Sequence, residues 1–288
     1  MKLYNTLSCI VLEYESSFYM MDEAWDLLVN RENLEAYLLS KIKNSSVVGH
    51  AEIGAYLGSG SILPPIGQQE VWAAGVTYLK SRDARMEESH DSGAASLYDM
   101  VYDAARPELF FKSIASRVAG HQQTVYIRVD SAWNVPEPEL TLFINSSGTI
   151  QGYTIGNDMS SRSIEGENAL YLPQAKVYEK SAALGPCLLV TSSPISSATA
   201  IKMNIHRDAV KVYDDETEVS RIKRTFTELV SYLYSECDFP YGCYLMTGTC
   251  LVPGSDFTLA VGDVVEISID GIGTMINTIA INPKHQPK

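Results

Sequence analysis

The stretch WNVPEPELTL, residues 133–142, places two prolines and two glutamates directly before an apolar run. Proline disfavours a helix here, so the segment is expected to be extended and to lead into a β-strand. Residues i and i+2 of an extended chain point to the same side, which brings the carboxylates of Glu137 and Glu139 together. A hard divalent cation such as Mg²⁺, which prefers oxygen ligands, would relieve their repulsion. A solvated, proline-stiffened loop with incidental charge is the alternative.

Short β-like runs separated by turns extend from this stretch in both directions, interrupted by a predicted helix at 225–234. Few helices and no βαβ rhythm predict a β-rich α+β fold that forms a roll. The predicted strands cover residues 70–76, 109–112, 124–129, 140–144, 150–155, 187–191, 201–205, 210–213, 244–247, 264–269 and 275–281.

The first 65 residues predict a small α+β domain of their own. Apolar runs within residues 3–21, broken near 13–17, predict a hairpin. Asp22 is expected to cap a helix over 23–29, and Asn33 to open another that reaches Ile42. A Gly/Ser/Pro segment at 59–65 then predicts a boundary, with the catalytic domain at 66–288 and a mostly helical stretch at 80–105.

Composition excludes several classes of function. The chain has 288 residues and a net charge of -13, which disfavours nucleic acid as a partner because phosphate binding needs a basic surface. Five cysteines at uneven spacings predict thiols, most of them buried, rather than a zinc site or disulfides. With no signal peptide and no long apolar run, we expect a cytoplasmic protein without a membrane partner.

Three further positions carry side chains suited to a keto-acid site. Asp158 ends the apolar strand GYTIGND and offers a third oxygen ligand, although a turn or cap residue is the alternative. Three carboxylates fit Mg²⁺ or Mn²⁺ better than zinc. Lys176 lies among apolar and aromatic neighbours, where a partly desolvated lysine can act as an acid or base. The turn at Thr247-Gly248-Thr249 can bind a carboxylate, or it can be merely a tight turn.

These motifs, in this order, resemble the fumarylacetoacetate hydrolase superfamily over roughly residues 66–282. The resemblance implies a β-sandwich roll, assembled as a homodimer or homotetramer, with a Mg²⁺ site in which Mn²⁺ or Ca²⁺ is also possible. It implies metal ligands at Glu137, Glu139 and Asp158. It implies substrate-binding roles for Thr249, Arg162, Glu165, Gln174 and Tyr78, and acid/base roles for Lys176 and Glu108.

The subgroup within the superfamily is indicated by one motif that this chain lacks and by others that it shares. The C–C hydrolases of the superfamily carry a His-x-x-Glu pair on a lid, and this pair activates the attacking water. This chain has Ser81 and Ala84 at those positions, so it lacks the general base that hydrolysis needs. Glu165, the ARPELFFK motif at 105–112 and YLPQAKVY at 171–178 look like the sugar-acid dehydratase branch instead.

The resemblance therefore implies a Mg²⁺-dependent hydro-lyase acting on a small-molecule keto acid. It would dehydrate a 2-keto-3-deoxy sugar acid, of the 2-dehydro-3-deoxy-D-arabinonate type, to 2,5-dioxopentanoate through a metal-stabilised enolate. One alternative is a metal-dependent hydrolase or decarboxylase of acylpyruvate or oxaloacetate. A non-catalytic keto-acid-binding member of the superfamily is the other.

Overall fold

Two β-sheets form the framework of the protein in a computed structural model, which describes residues 1–58, 60–78 and 100–285. In chain order the strands are β1 (Lys2–Asn5), β2 (Ile10–Tyr14), β3 (Ser17–Met21), β4 (Glu70–Gly75), β5 (Glu108–Ile114), β6 (Val118–Ala119), β7 (Gln123–Ile127), β8 (Asn134–Val135), β9 (Pro138–Ile144), β10 (Ile150–Asp158), β11 (Ser160–Ser161), β12 (Ala182–Val190), β13 (Ala200–Arg207), β14 (Val210–Glu218), β15 (Cys243–Met246), β16 (Val264–Ile269) and β17 (Gly273–Ile281). The α-helices are α1 (Trp25–Val29), α2 (Leu34–Ile42), α3 (His50–Tyr56), α4 (Arg162–Glu167), α5 (Leu172–Lys176) and α6 (Phe226–Leu233) within the described ranges.

The larger sheet follows the order β3-β2-β1-β12-β10-β9-β15-β4-β5, with β6 alongside β12. The smaller sheet follows β14-β13-β16-β17-β7, and β8 pairs with β11 in a short ribbon. Most neighbours are antiparallel, whereas β15 with β4, β12 with β6 and β17 with β7 are parallel. The prediction of a β-rich fold with few helices is confirmed.

Side chains alternate between two packed layers on either face of the larger sheet. On β9, Leu140 and Leu142 enter a core shared with Met203 of the smaller sheet. Phe143, on the opposite face of β9, packs in a second core with Leu28 of α1 and with α2. Glu139 and Thr141 share the face of Phe143 because their spacing is even. The predicted metal ligands therefore lie on the face that the N-terminal helices cover in part.

The N-terminal hairpin extends the larger sheet. Strand β1 pairs with β12, where Leu3 lies opposite Leu188, and the turn between β2 and β3 falls at the predicted place. The division at residue 65 stays a prediction, since hydrogen bonds of this sheet run between residues on both sides of it. Helix capping differs from expectation: α1 begins at Trp25 after Ala24, so Asp22 is not its cap.

Other predictions concern segments between the strands. Asn33 does precede α2, but its left-handed backbone (φ 50°) and lack of a side-chain cap bond show that it turns the chain instead. The predicted helical stretch at 80–105 lies largely outside the described residues.

All five cysteines are free thiols, and Cys187, Cys243 and Cys250 are buried. Within the described ranges, no helix combines the length and apolar character needed to cross a membrane.

Candidate metal and active site

Three buried carboxylates meet where β9 begins and β10 ends. Glu139 lies opposite Gly156 in the antiparallel ladder, and the N–H of Asp158 donates to the carbonyl oxygen of Glu137 at 2.9 Å. One oxygen from each of Glu137, Glu139 and Asp158 lies within 4.8 Å of the others. All three side chains are buried, and strand β9 begins at Pro138, so the Pro-Glu-Pro-Glu segment is not a solvated loop. This confirms that the sequence brings the three acids together.

Three buried cations surround the acidic cluster. Lys176, at the end of α5, donates to Glu137 Oε2 at 2.7 Å and to Asp158 Oδ2 at 3.1 Å. The Nη2 of Arg162, the first residue of α4, donates to Glu137 Oε1 at 2.6 Å. From β5, the Nζ of Lys112 forms an ion pair with Asp158 Oδ1 at 2.5 Å. Burying so many charges is tolerable only because they neutralise one another at close range.

The electrostatic balance favours an additional cation beside Glu139. Burial raises the pKa of Glu139 well above its usual range, and the negative charges of Asp158 and Glu137 raise it further. The backbone N–H of Gly248, at 2.5 Å, and the positive charge of Lys176 lower the pKa of Glu139 and offset this effect in part. Convergent, buried carboxylate oxygens with one member short of positive charge fit a hard divalent ion such as Mg²⁺.

A small pocket opens beside the carboxylates. Its other walls come from the end of β4, from Phe110 of β5 and from the turn after β15. It is lined by Ala74, Gly75, Val76, Phe110, Glu137, Glu139, Asp158, Arg162, Lys176, Gly248 and Thr249. A ligand in this pocket would meet acids, a lysine and a hydroxyl within one enclosed space.

Most of the predicted binding and acid/base residues lie in this pocket or beside it. Lys176, Arg162 and Thr249 line it, and Thr249 is buried. Glu108 is half-buried on β5 opposite Gly75, where its carboxylate lies so close that a Cβ on Gly75 would meet Oε2 at 1.9 Å. Glu165 is buried behind Arg162, with Oε2 3.8 Å from the arginine Nε. The structure therefore brings these five residues to one region.

Tyr78 and Gln174 are placed differently. Tyr78 is buried and does not line the pocket; burial raises its pKa, as do the nearby Cys250 and Glu139. Gln174 is exposed, and its backbone oxygen accepts a hydrogen bond from Arg128. Two residues along a helix turn the side chain by about 200°, so Gln174 faces away when Lys176 faces in. The substrate-binding roles of both residues stay predictions. Ser81 and Ala84 lie outside the described residues.

Sequence reasoning did not identify three groups of this site. They are Lys112, the Ser160 hydroxyl, which accepts from Lys176 Nζ at 2.5 Å, and the Gly248 N–H. Lys112 carried a signal, because a lysine inside the apolar run at 109–114 is unusual unless a buried acid pairs with it. The pattern of side chains in the sequence does not indicate the Gly248 N–H, because it is a backbone group.

Comparisons with known proteins agree with this geometry. The family model described as fumarylacetoacetate (FAA) hydrolase C-terminal matches residues 84–280. A probable 2-keto-3-deoxyxylonate dehydratase of Haloferax volcanii is 48% identical over 75% of this chain and 73% of its own. The 2-dehydro-3-deoxy-D-arabinonate dehydratase of Saccharolobus solfataricus is 35% identical over 92% and 93%.

Among solved structures, similarity extends over nearly the whole chain. A 2-keto-3-deoxy-D-arabinonate dehydratase complexed with magnesium and 2,5-dioxopentanoate superposes with a TM-score of 0.82. It is 31% identical to this chain, with 98% of this chain and 99% of that one covered. From its sequence, fold and acidic cluster alike, this chain belongs to the fumarylacetoacetate hydrolase family.

Proposed function

We propose that this protein is a Mg²⁺-dependent dehydratase that converts a 2-keto-3-deoxy pentonate into 2,5-dioxopentanoate and water. The observation that carries the proposal is the buried cluster of Glu137, Glu139 and Asp158, bridged by Lys176. A relative of 31% identity carries magnesium and the same product in its structure. Two homologous proteins named as dehydratases of such acids, at 48% and 35% identity, support the same reaction.

The metal ligands in this proposal are the three carboxylates. A bound Mg²⁺ supplies Lewis-acid polarisation to a 2-keto acid, which makes the C3 proton more acidic. Thr249 and Arg162 are proposed to bind and orient the substrate carboxylate. The Thr249 oxygen accepts the N–H of Leu251 at 3.2 Å, so its own O–H remains for an acceptor in the pocket. Glu165, behind Arg162, would hold the guanidinium in place.

The positions of Lys176 and Glu108 suggest a division of labour. Carbon C3 lies next to the carboxylate and keto groups, whereas the C4 hydroxyl lies one atom further out. Lys176 touches two of the metal ligands and is therefore proposed to take the C3 proton. Glu108 lies against Gly75 in the pocket wall and is proposed to protonate the leaving C4 hydroxyl. A proton shift from C5 to C3 then gives an enol that tautomerises to the C5 aldehyde.

Dehydration can be tested directly against the competing hydrolase or decarboxylase activity. We expect formation of 2,5-dioxopentanoate from 2-keto-3-deoxy pentonates with Mg²⁺, loss of activity in EDTA and its return with added Mg²⁺. Asp158→Asn should abolish turnover, while Asp214→Asn, at an exposed position, should leave it unchanged. The proposal would be contradicted if the protein released pyruvate from acylpyruvate or oxaloacetate and did not dehydrate the pentonate. It would also be contradicted if EDTA did not change the turnover.

The proposal includes a cytoplasmic homodimer or homotetramer that acts in pentose breakdown. Free thiols at all five cysteines suit a reducing compartment. Strand β14 lies at an edge of the smaller sheet and exposes Val210 and Val212, an apolar edge that a second copy could cover. Analytical ultracentrifugation should give a mass of two or four chains; a monomer at micromolar concentration would contradict the assembly.

A further inference from the structure

Each of the three carboxylates has one oxygen in close contact with a fixed N–H group or cation of the protein. Lys112 Nζ lies 2.5 Å from Oδ1 of Asp158, and Arg162 Nη2 donates to Oε1 of Glu137 at 2.6 Å. The N–H of Gly248 donates to Oε2 of Glu139 at 2.5 Å. An oxygen engaged by such a fixed group is harder to free for a metal ion than one engaged by a group that can move away.

Two of the remaining oxygens converge on a common point. Oε2 of Glu137 and Oδ2 of Asp158 both accept hydrogen bonds from the single ammonium group of Lys176. A metal ion bound to these two oxygens would take the place of that ammonium group and would meet one oxygen from each residue. With one oxygen of Glu139 as a third ligand, single-oxygen binding by the three carboxylates would leave room at the ion for water and substrate.

Lys112 is fixed by further contacts to the backbone. Its side chain is fully buried on β5, and its ammonium donates to the carbonyl oxygens of Met159 at 2.9 Å and of Lys176 at 2.5 Å. Both carbonyls belong to backbone held in place by its neighbours, so Nζ has little freedom to leave Oδ1 of Asp158. The contact to the Lys176 carbonyl also ties the metal ligand to the proposed base.

We propose that Lys112 determines metal selectivity: by holding Oδ1 of Asp158, it enforces single-oxygen coordination and favours Mg²⁺ and Mn²⁺ over Ca²⁺. Mg²⁺ requires six ligands in a near-ideal octahedron, whereas Ca²⁺ takes six to eight oxygens and readily uses carboxylates bidentately. The inference rests on the metal site of the proposed function. It assigns to that site a selectivity determinant that makes no contact with the metal itself.

Metal binding without substrate tests this inference. In the full-length protein, free Mn²⁺ is followed by electron paramagnetic resonance, and Mg²⁺ and Ca²⁺ are titrated as competitors. The wild type should bind Ca²⁺ at least tenfold more weakly than Mn²⁺. Lys112→Met should narrow this ratio by about tenfold, the scale on which residues behind metal ligands act. Losing a positive charge strengthens attraction for every dication, so the ratio of affinities is the informative quantity.

A matched control and clear contrary outcomes complete the experiment. Lys202→Met removes a half-exposed lysine paired with Glu216 and should leave the ratio unchanged. If Lys112→Met changes the affinities for Mn²⁺, Mg²⁺ and Ca²⁺ by the same factor, the inference is overturned. A wild type that binds Ca²⁺ as tightly as Mn²⁺ would overturn it as well. If Lys112→Met does not fold, Arg162→Met frees Oε1 of Glu137 by the same logic, and an unchanged ratio there would refute single-oxygen coordination.

The outcome is separable from that of the proposed function. A protein that selects Mn²⁺ over Ca²⁺ but fails to dehydrate a pentonate would contradict the assigned reaction and leave the selectivity of Lys112 intact. If the protein dehydrates the pentonate but its ratio of Mn²⁺ to Ca²⁺ affinity does not change in Lys112→Met, the assigned reaction stands and the role of Lys112 in selectivity is refuted.

Discussion

Gly75→Ala offers a sharp test of whether the position of the Glu108 carboxylate matters. A Cβ at position 75 would lie 1.9 Å from Oε2 and 2.6 Å from Cδ of Glu108. Ordinary contact begins near 3.4 Å, so the carboxylate has to move by about 1.5 Å. Displacements of about 1 Å at a reacting group cost on the order of 10²-fold in rate, so we expect kcat to fall by about 10².

The substitution should do little to stability, because the colliding atoms are the far end of a flexible side chain. We expect the free energy of unfolding to change by less than about 1 kcal/mol, measured by urea denaturation. Initial rates on a 2-keto-3-deoxy pentonate with saturating Mg²⁺ give kcat and KM, and Glu108→Gln provides the reference for loss of the acid itself.

Gly67→Ala is a matched control, because it creates the same kind of clash at another place. A Cβ there would lie 2.0 Å from Oδ1 of Asp26, a carboxylate of α1 that accepts hydrogen bonds from Gln68 and Gln69. This variant should lose stability and keep kcat. Full kcat in Gly75→Ala, or an equal loss in both glycine variants, would show that Glu108 does not act where we place it.

Three further outcomes follow from the structure. Lys176→Met should lower kcat by about 10²–10⁴-fold in the same assay, the usual scale for a lost proton-transfer group, and near-normal turnover would exclude this lysine as the base. Asp263→Ala should reduce the free energy of unfolding by about 1–3 kcal/mol in urea, because the buried carboxylate accepts two hydrogen bonds from the partly exposed Arg207; an unchanged midpoint would contradict this. Burial raises the pKa of Cys187 to about 12, so little thiolate forms at pH 8 and a thiol reagent should modify the exposed Cys237 first, with Cys187 reacting only on unfolding. Early labelling of Cys187, followed by mass spectrometry of peptides, would contradict the packing around it.

The strands were predictable because their signals are local. Val264–Ile269 forms as predicted, and the alternation along residues 140–144 separates the two cores of the larger sheet. Boundaries were less accurate where tertiary pairing extends a strand. Strand β10 continues past the predicted end at Ile155 to Asp158, because β9 and β12 supply partners on both sides. The extension carries the third carboxylate to the site.

The acidic cluster was predictable, whereas most of its electrostatic environment was not. Spacing in an extended chain aligns Glu137 with Glu139 whatever the surrounding fold. The role of Lys112 depends on β5 reaching the ends of β10 and α5, a distant contact that no local pattern encodes. Closeness in sequence to Lys176 does not place Gln174 on the same side of the helix, so its substrate-binding role stays a prediction.

The charges of the site suggest how an acidic protein can bind an anionic substrate. Glu137, Glu139 and Asp158 are balanced by Lys112, Lys176 and Arg162, so the six groups together are close to neutral. A divalent metal adds two positive charges in a buried place, where they act strongly. Lys176 has to be neutral to accept the C3 proton, which removes one positive charge, and the substrate carboxylate offsets another. Transfer of the proton then leaves the negative enolate beside the dication and a newly formed ammonium group. The site is therefore better matched to the enolate than to the resting keto acid, which is the condition for lowering the barrier.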